Sequence, residues 1–307
     1  MLIIVIITVI VLWSLVYLFN ETPFLFKESE KYSLSEDPVL LCPKAGAFSY
    51  TTPKKETMIL FLHGYKATPH DWRKIAMAFK KKANIAAPLY PGHGTSEEEF
   101  QKTCFSQWYA CARDVYVKYR KKYKRLYICG LSMGATIALG LAEEFSNDKK
   151  MLPNGIVAVS TPLFVNKIFK YSVLYDWRFY FTRFYSWIVP SFTHHIRNVD
   201  KDGSDWVGYD GRKFMKQIHS LKMGMARVRK GLSRVRVPLL VLHSKYDKTV
   251  PLENLYYIAD QVSSKDIRTR IFDLTEWEHG RHVITLYDST RDKVRKEIEK
   301  FIEELNK

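Results

Sequence analysis

The stretch from Leu126 to Phe145 constrains this chain more than any other. An apolar run, Leu126 to Cys129, leads into Gly130-Leu131-Ser132-Met133-Gly134, and a helix-like stretch, Ala135 to Phe145, follows. Strand, tight turn and helix in immediate succession put a serine at the apex of the turn. A serine on so sharp a turn needs neighbours without bulky side chains, because the following helix packs close to the strand. The five residues are a short pattern. Their weight depends on whether the rest of a site built on a serine occurs around them in the right order.

The surrounding chain alternates. From Thr57 onward, short apolar runs expected to be buried strands are Met58 to Leu62, Asn84 to Ala87, Arg125 to Cys129, Gly155 to Val159, Pro238 to His243 and Arg268 to Leu274. Helical patterns fall between them: Asp71 to Lys82, Ser106 to Lys122 (with Trp108, Ala112, Val115 and Tyr119 on one face), Leu252 to Val262 and Thr290 to Leu305. Such alternation predicts an α/β protein, a mostly parallel sheet with helices on both faces. A length of 307 residues with 47% hydrophobic and 26% charged residues is that of a globular protein. The expected organisation is residues 1–20 as an anchor, 21–56 as a linker with one edge strand, 57–160 and 237–307 as the two parts of the core, and 161–236 as an insertion.

That insertion breaks the alternation. Its first half is aromatic, from Phe164 through Trp187, and its second half, from Lys213, is basic and helical. It holds fifteen Lys and Arg against five Asp and no Glu, so +10 of the chain's net +16 lies there. An aromatic insertion after a strand of an α/β sheet reads as a helical cap over a pocket. The net charge points to an anionic partner. No helix-turn-helix, zinc module or other nucleic-acid pattern accompanies it, so an anionic membrane surface is the expected partner and nucleic acid is not.

The N-terminus differs from the rest. Leu2 to Phe19 carries no charge and only Thr8 and Ser14 as polar breaks. Trp13 and Tyr17 near one end suit an interfacial belt. No Lys or Arg precedes the run and no small-residue cleavage site ends it, which argues against a signal peptide. An uncleaved N-terminal transmembrane helix is expected, placing the protein in a membrane as a single-pass chain. Lys27 and Lys31 follow the run, a lean towards a cytoplasmic catalytic domain. The four cysteines, Cys42, Cys104, Cys111 and Cys129, form no C-x-x-C pair, and no His or Cys cluster has ligand spacing, so neither a disulfide framework nor a metal is expected.

A serine hydroxyl attacks only when a base takes its proton, and on this topology an acid and then a histidine should follow it along the chain. Leu239 to Leu242 is an apolar strand that opens onto a polar loop ending in Asp247. The next strand ends near Leu274, and a loop with His279 and His282 precedes the last helix. His282 is the preferred base and His279 the alternative. The oxyanion hole needs two backbone N–H donors: Met133, directly after the serine, and Tyr65, in the His63-Gly64-Tyr65 loop after the first parallel strand. His63 precedes the serine and is read as a residue supporting that loop.

With these residues assembled, the chain resembles the α/β-hydrolase fold, and within it the small carboxylesterase and monoacylglycerol-lipase branch. The matching stretches are Phe61-Leu62-His63-Gly64-Tyr65, Pro88-Leu89-Tyr90-Pro91-Gly92-His93-Gly94, the Ser132 pentapeptide, Tyr246-Asp247 and His282-Val283-Ile284-Thr285-Leu286. The resemblance implies Ser132, Asp247 and His282 as the catalytic triad, Tyr65 and Met133 as oxyanion donors, and no cofactor. It also implies a serine carboxylic-ester hydrolase whose substrate is a small acyl ester such as a monoacylglycerol. Acyl transfer or thioester cleavage by the same triad, and a membrane-tethered binding protein that has lost catalysis, are the alternatives. In one respect the chain departs from the branch, which places a glycine directly before its histidine. Here Arg281 stands between Gly280 and His282.

Overall fold

A computed structural model describes residues 1–21, 28–35, 37–165, 182–193, 205–274 and 281–307, with side chains of the first stretch described through Val16. Seven strands form one sheet: β1 (Phe48–Tyr50), β2 (Thr57–Leu62), β3 (Asn84–Ala87), β4 (Arg125–Leu131), β5 (Gly155–Val159), β8 (Leu239–Ser244) and β9 (Ile267–Phe272). Their spatial order is β1-β3-β2-β4-β5-β8-β9. Only β1 runs antiparallel, pairing Phe48 with Ala87 at one edge; every other pair is parallel.

The strands read as unbroken apolar runs because both faces of the sheet are covered. Side chains alternate across the pleat. Met58, Leu60 and Leu62 of β2 and Leu126 and Ile128 of β4 enter one core, against α4 (Phe105–Lys122) and α5 (Met133–Glu144). Ile59, Phe61, Tyr127 and Cys129 enter the other, against α2 (His70–Phe79) and α9 (Asp288–Leu305), which supply Trp72, Ile75, Val294, Ile298 and Phe301. A one-residue slip of either strand would exchange the two sets. Between β3 and α4 runs α3 (Glu97–Gln101), and between β8 and β9 runs α8 (Glu253–Gln261).

After β5 the chain leaves the sheet. The described part of the insertion holds α6 (Thr182–Ile188), β6 (Ser191–Thr193), β7 (Arg212–Phe214) and α7 (Met215–Gly231). The sequence shows no strand there. The structure has two, each three residues long and paired antiparallel only with each other, too short for an alternating pattern to register. Most of the aromatic half, Phe169 to Phe181, lies outside the described residues. Of the rest, Phe164 is buried and Trp187 is 65% exposed.

The N-terminal expectation is corrected. Among the described residues no helix is long and apolar enough to cross a membrane, so a transmembrane helix, and a membrane location resting on it, are not supported. Leu2–Glu21 does form a helix, α1. The expectation rested on the uncharged apolar composition of Leu2 to Phe19 alone.

Candidate active site

Ser132 sits where β4 ends and α5 begins. Its backbone is strained, with φ 52° and ψ −122°, a region that residues with a side chain rarely occupy. Neighbouring structure enforces the strain. Ser132 N–H donates to the Val159 carbonyl (2.8 Å), and its own carbonyl accepts from Ala135 (2.9 Å) and Thr136 (3.1 Å). The flanking glycines leave room for the turn. A Cβ on Gly130 would meet the Ala135 backbone at 2.4 Å, and one on Gly134 would lie 2.2 Å from the Leu62 carbonyl oxygen. Met133 is the first residue of α5, so its N–H has no carbonyl within the helix to bond.

The loops after β8 and β9 converge on this serine. His282 Nε2 lies 2.9 Å from Ser132 Oγ, and His282 Nδ1 lies 2.6 Å from Asp247 Oδ2. The Asp247 side chain is fully buried and that of His282 is 13% exposed. Asp247 Oδ1 accepts from the N–H groups of Thr249 (2.8 Å) and Val250 (2.9 Å), which aims Oδ2 at the imidazole. With Nδ1–H donating to the carboxylate, Nε2 is bare and can accept the serine proton. Ser160 Oγ–H donates to the His282 carbonyl (2.9 Å), fixing the base loop from below.

Arg281 has φ 51°, in the left-handed region. That is the conformation a glycine takes at no steric cost. Arg281 lays its guanidinium over the Tyr246 ring, 5.1 Å from the centroid, so the residues next to His282 and Asp247 also touch. His279 lies outside the described residues.

The loop after β2 faces the serine from the other side. A Cβ on Gly64 would be 3.5 Å from Ser132 Cβ, and Tyr65 follows with its ring packed on Phe100 and Trp108. His63 is wholly buried. Its Nδ1–H donates to the Gly64 carbonyl (2.9 Å) and its Nε2 accepts from Tyr90 N–H (3.4 Å). Burial pushes its pKa down to about 3, so it is a neutral brace for the loop.

Asp71, in the first turn of α2, is 1% exposed, and its Oδ2 accepts weakly from Gly64 N–H at 3.4 Å. Burial raises its carboxyl to about 7, opposed by the Gly64 hydrogen bond and the charge of His282. The raised value has a consequence for stability. Between pH 4 and pH 7 the unfolded chain ionises this group and the folded chain does not, so rising pH favours unfolding. Asp71→Asn removes that loss and keeps the acceptor for Gly64. The variant's stability relative to the parent is expected to be greater at pH 8 than at pH 4, by about 4 kcal/mol at most for a shift of about three units. Urea titrations at the two pH values measure it, and an equal effect at both would refute the assignment.

Ser132, Met133, Tyr65, Asp247 and His282 therefore lie at the carboxyl ends of the parallel strands, where ligands bind in such sheets. Ser132, His282 and Asp247 are joined by hydrogen bonds, and the Tyr65 loop stands beside them. Sequence reasoning missed Ser160, Asp71 and Lys66, considered below. Ser160 alone carried a local signal, since it directly follows a buried strand, and it has φ 47°. Among the described residues no group of three or more His, Cys, Asp or Glu side chains could hold a metal ion.

Comparison with known proteins agrees with this architecture. A family model, Hydrolase_4 (serine aminopeptidase, S33), matches residues 53–285. A thermostable monoacylglycerol lipase from a Bacillus species is 26% identical over 268 residues, covering 85% of this chain and 93% of that protein. Among solved structures, that reported for the metagenome-derived lipolytic enzymes LipS and LipT superposes with a TM-score of 0.70 at 20% identity, over 86% of this chain and 99% of the other. A monoacylglycerol lipase from Paleococcus ferrophilus gives 0.64 at 17% identity, over 84% and 98%. A match over three quarters of the chain, with the serine turn, the acid and the histidine inside it, means that this protein belongs to the Hydrolase_4 family of α/β-hydrolases and is a serine hydrolase of its monoacylglycerol-lipase and esterase branch.

Proposed function

We propose that the protein hydrolyses carboxylic esters through an acyl-enzyme on Ser132. The observation that carries this reading is the unbroken hydrogen-bonded chain from Ser132 Oγ through His282 to the buried Asp247 carboxylate. Ser132 Oγ adds to the ester carbonyl as His282 Nε2 takes its proton, and Asp247 stabilises the imidazolium that results. The carbonyl oxygen becomes an alkoxide facing the N–H groups of Met133 and Tyr65. Collapse expels the alcohol with the proton from His282. Water, deprotonated by the same imidazole, then releases the acid and restores the serine.

Acyl esters of small alcohols, monoacylglycerols among them, are the proposed substrates, in line with the lipase relatives. Residues 161–236 act as the cap that receives the acyl chain. The net charge of +16 favours meeting such substrates at an anionic lipid surface. A series of p-nitrophenyl esters of increasing acyl length, run beside monoacylglycerols and an amino-acid p-nitroanilide, tests the reading. Turnover of the esters is expected to exceed that of the anilide, with fluorophosphonate labelling at Ser132. Preferential cleavage of the anilide would instead make the chain a peptidase.

A further inference from the structure

The residue after the proposed oxyanion donor Tyr65 is Lys66, and it is fastened at three points to one short piece of the insertion. Lys66 Nζ donates to the carbonyls of Tyr209 (3.0 Å) and Arg212 (2.7 Å). The Lys66 carbonyl accepts the Tyr209 N–H (3.1 Å). Its own backbone is in the left-handed region, φ 60°, so the chain turns sharply immediately beyond Tyr65. The fit is close: a Cβ on Gly208 would stand 2.2 Å from the Lys66 carbonyl oxygen. Two residues on, Thr68 Oγ1–H donates to the Val207 carbonyl (3.2 Å).

The piece that Lys66 grips is itself held from the opposite side. Tyr209, 3% exposed, donates its hydroxyl to the Gly92 carbonyl (2.6 Å) and accepts the Thr95 N–H (3.1 Å). Arg212 Nε–H donates to Glu97 Oε2 (2.8 Å). Lys66 is thus tied to a fixed point, not to a free loop. Burial lowers the Lys66 ammonium to about 8 and Lys213 adds to the lowering, while Asp210 and Glu97 partly offset it. Two carbonyl acceptors replace the water such a group gives up.

We propose that Lys66 is a positioning residue that locks the Tyr65 N–H in place for the oxyanion by pinning its loop to residues 207–212. Backbone donors stabilise a transition state only when they are already aimed at the place where the charge develops. His63 braces the loop beneath Tyr65, and Lys66 supplies the brace on its other side. The insertion then does more than cover the site, because its Tyr209 and Arg212 carbonyls hold one half of the oxyanion hole. This inference rests on the triad reading given above.

The test uses the full chain, p-nitrophenyl butyrate and an alkyl trifluoromethyl ketone. Ser132 Oγ adds to that ketone, its proton passes to His282, and the ketone oxygen becomes an alkoxide in the oxyanion hole. Lys66→Met is expected to lower kcat about tenfold with KM changed less than twofold, and to raise the ketone inhibition constant by the same factor. Lys66→Arg, which can still donate to both carbonyls, should keep activity within about threefold. Gly208→Ala, which pushes on the Lys66 carbonyl, should reproduce the loss with the Lys66 side chain left unchanged. A purely structural role would lower melting temperature while leaving the ratio of ketone to substrate affinity unchanged. That outcome, or an unchanged kcat in Lys66→Met, would overturn the proposal. If Lys66→Met does not fold, the Arg and Gly208 variants decide the matter by the same ratio. Should Ser132→Ala retain turnover, the triad reading itself fails. Turnover that depends on Ser132 but is indifferent to Lys66 removes only the present inference.

Discussion

Ser132→Ala is expected to lower kcat on p-nitrophenyl butyrate by about 10⁴-fold or more, with a far-ultraviolet circular dichroism spectrum and melting temperature close to those of the parent. The size follows from the chemistry. Without Oγ no acyl-enzyme forms, and what remains is whatever the oxyanion donors give to direct attack by water. The fold should tolerate the change, because the bonds that hold the turn are made by the backbone of Ser132: its N–H to Val159 and its carbonyl to Ala135 and Thr136. The alanine inherits the same strained φ and ψ, so the strain does not differ between the two proteins. Loss of fluorophosphonate labelling should accompany the loss of turnover. Residual activity above about one per cent in a folded variant would place the nucleophile elsewhere.

The core was legible because each of its strands is buried on both faces. An apolar run such as Met58 to Leu62 or Gly155 to Val159 has one reading when flanked by helical patterns, and the strands end within a residue or two of the expected positions. Asp247 was legible for a related reason, since it closes the polar loop directly after an apolar strand. The choice between His282 and His279 was not a matter of spacing. Both occupy one loop, and the geometry that places His282 2.9 Å from Ser132 Oγ and 2.6 Å from Asp247 depends on contacts that span 150 and 35 residues of chain. Lys66 was illegible for the same reason. Lys66 bonds backbone carbonyls over 140 residues away, and a carbonyl has no signature in a sequence. At the N-terminus, composition was read as a span, and among the described residues no helix is long and apolar enough to cross a membrane.

Gly134→Ala is expected to abolish folding or nearly so, although alanine is the better helix former by about 1 kcal/mol. Gly134 occupies the second position of α5, where propensity alone predicts a gain. Its hydrogen, however, points at the end of β2. The added methyl would stand 2.2 Å from the Leu62 carbonyl oxygen, 2.5 Å from its carbon and 2.7 Å from the His63 oxygen. These are backbone atoms at the carboxyl end of β2, where Leu62 pairs with Gly130 of β4, so they cannot step aside as a side-chain tip could. Relief requires α5 to lift off the sheet, which opens the core around Met133, Ile137 and Leu141 and moves the Ser132 turn with it. A cost above about 3 kcal/mol, the upper range for overpacking, takes a large part of the 5–15 kcal/mol that hold a typical domain. Gly140→Ala, in the same helix, is the control. Its nearest obstacles are the Tyr109 ring at 2.9 Å and the Val228 side chain at 3.1 Å, both able to shift, so it should lose far less in urea. If Gly134→Ala proves as stable as Gly140→Ala, the close approach of α5 to β2 is not what the turn requires, and the glycine of the pentapeptide needs another explanation.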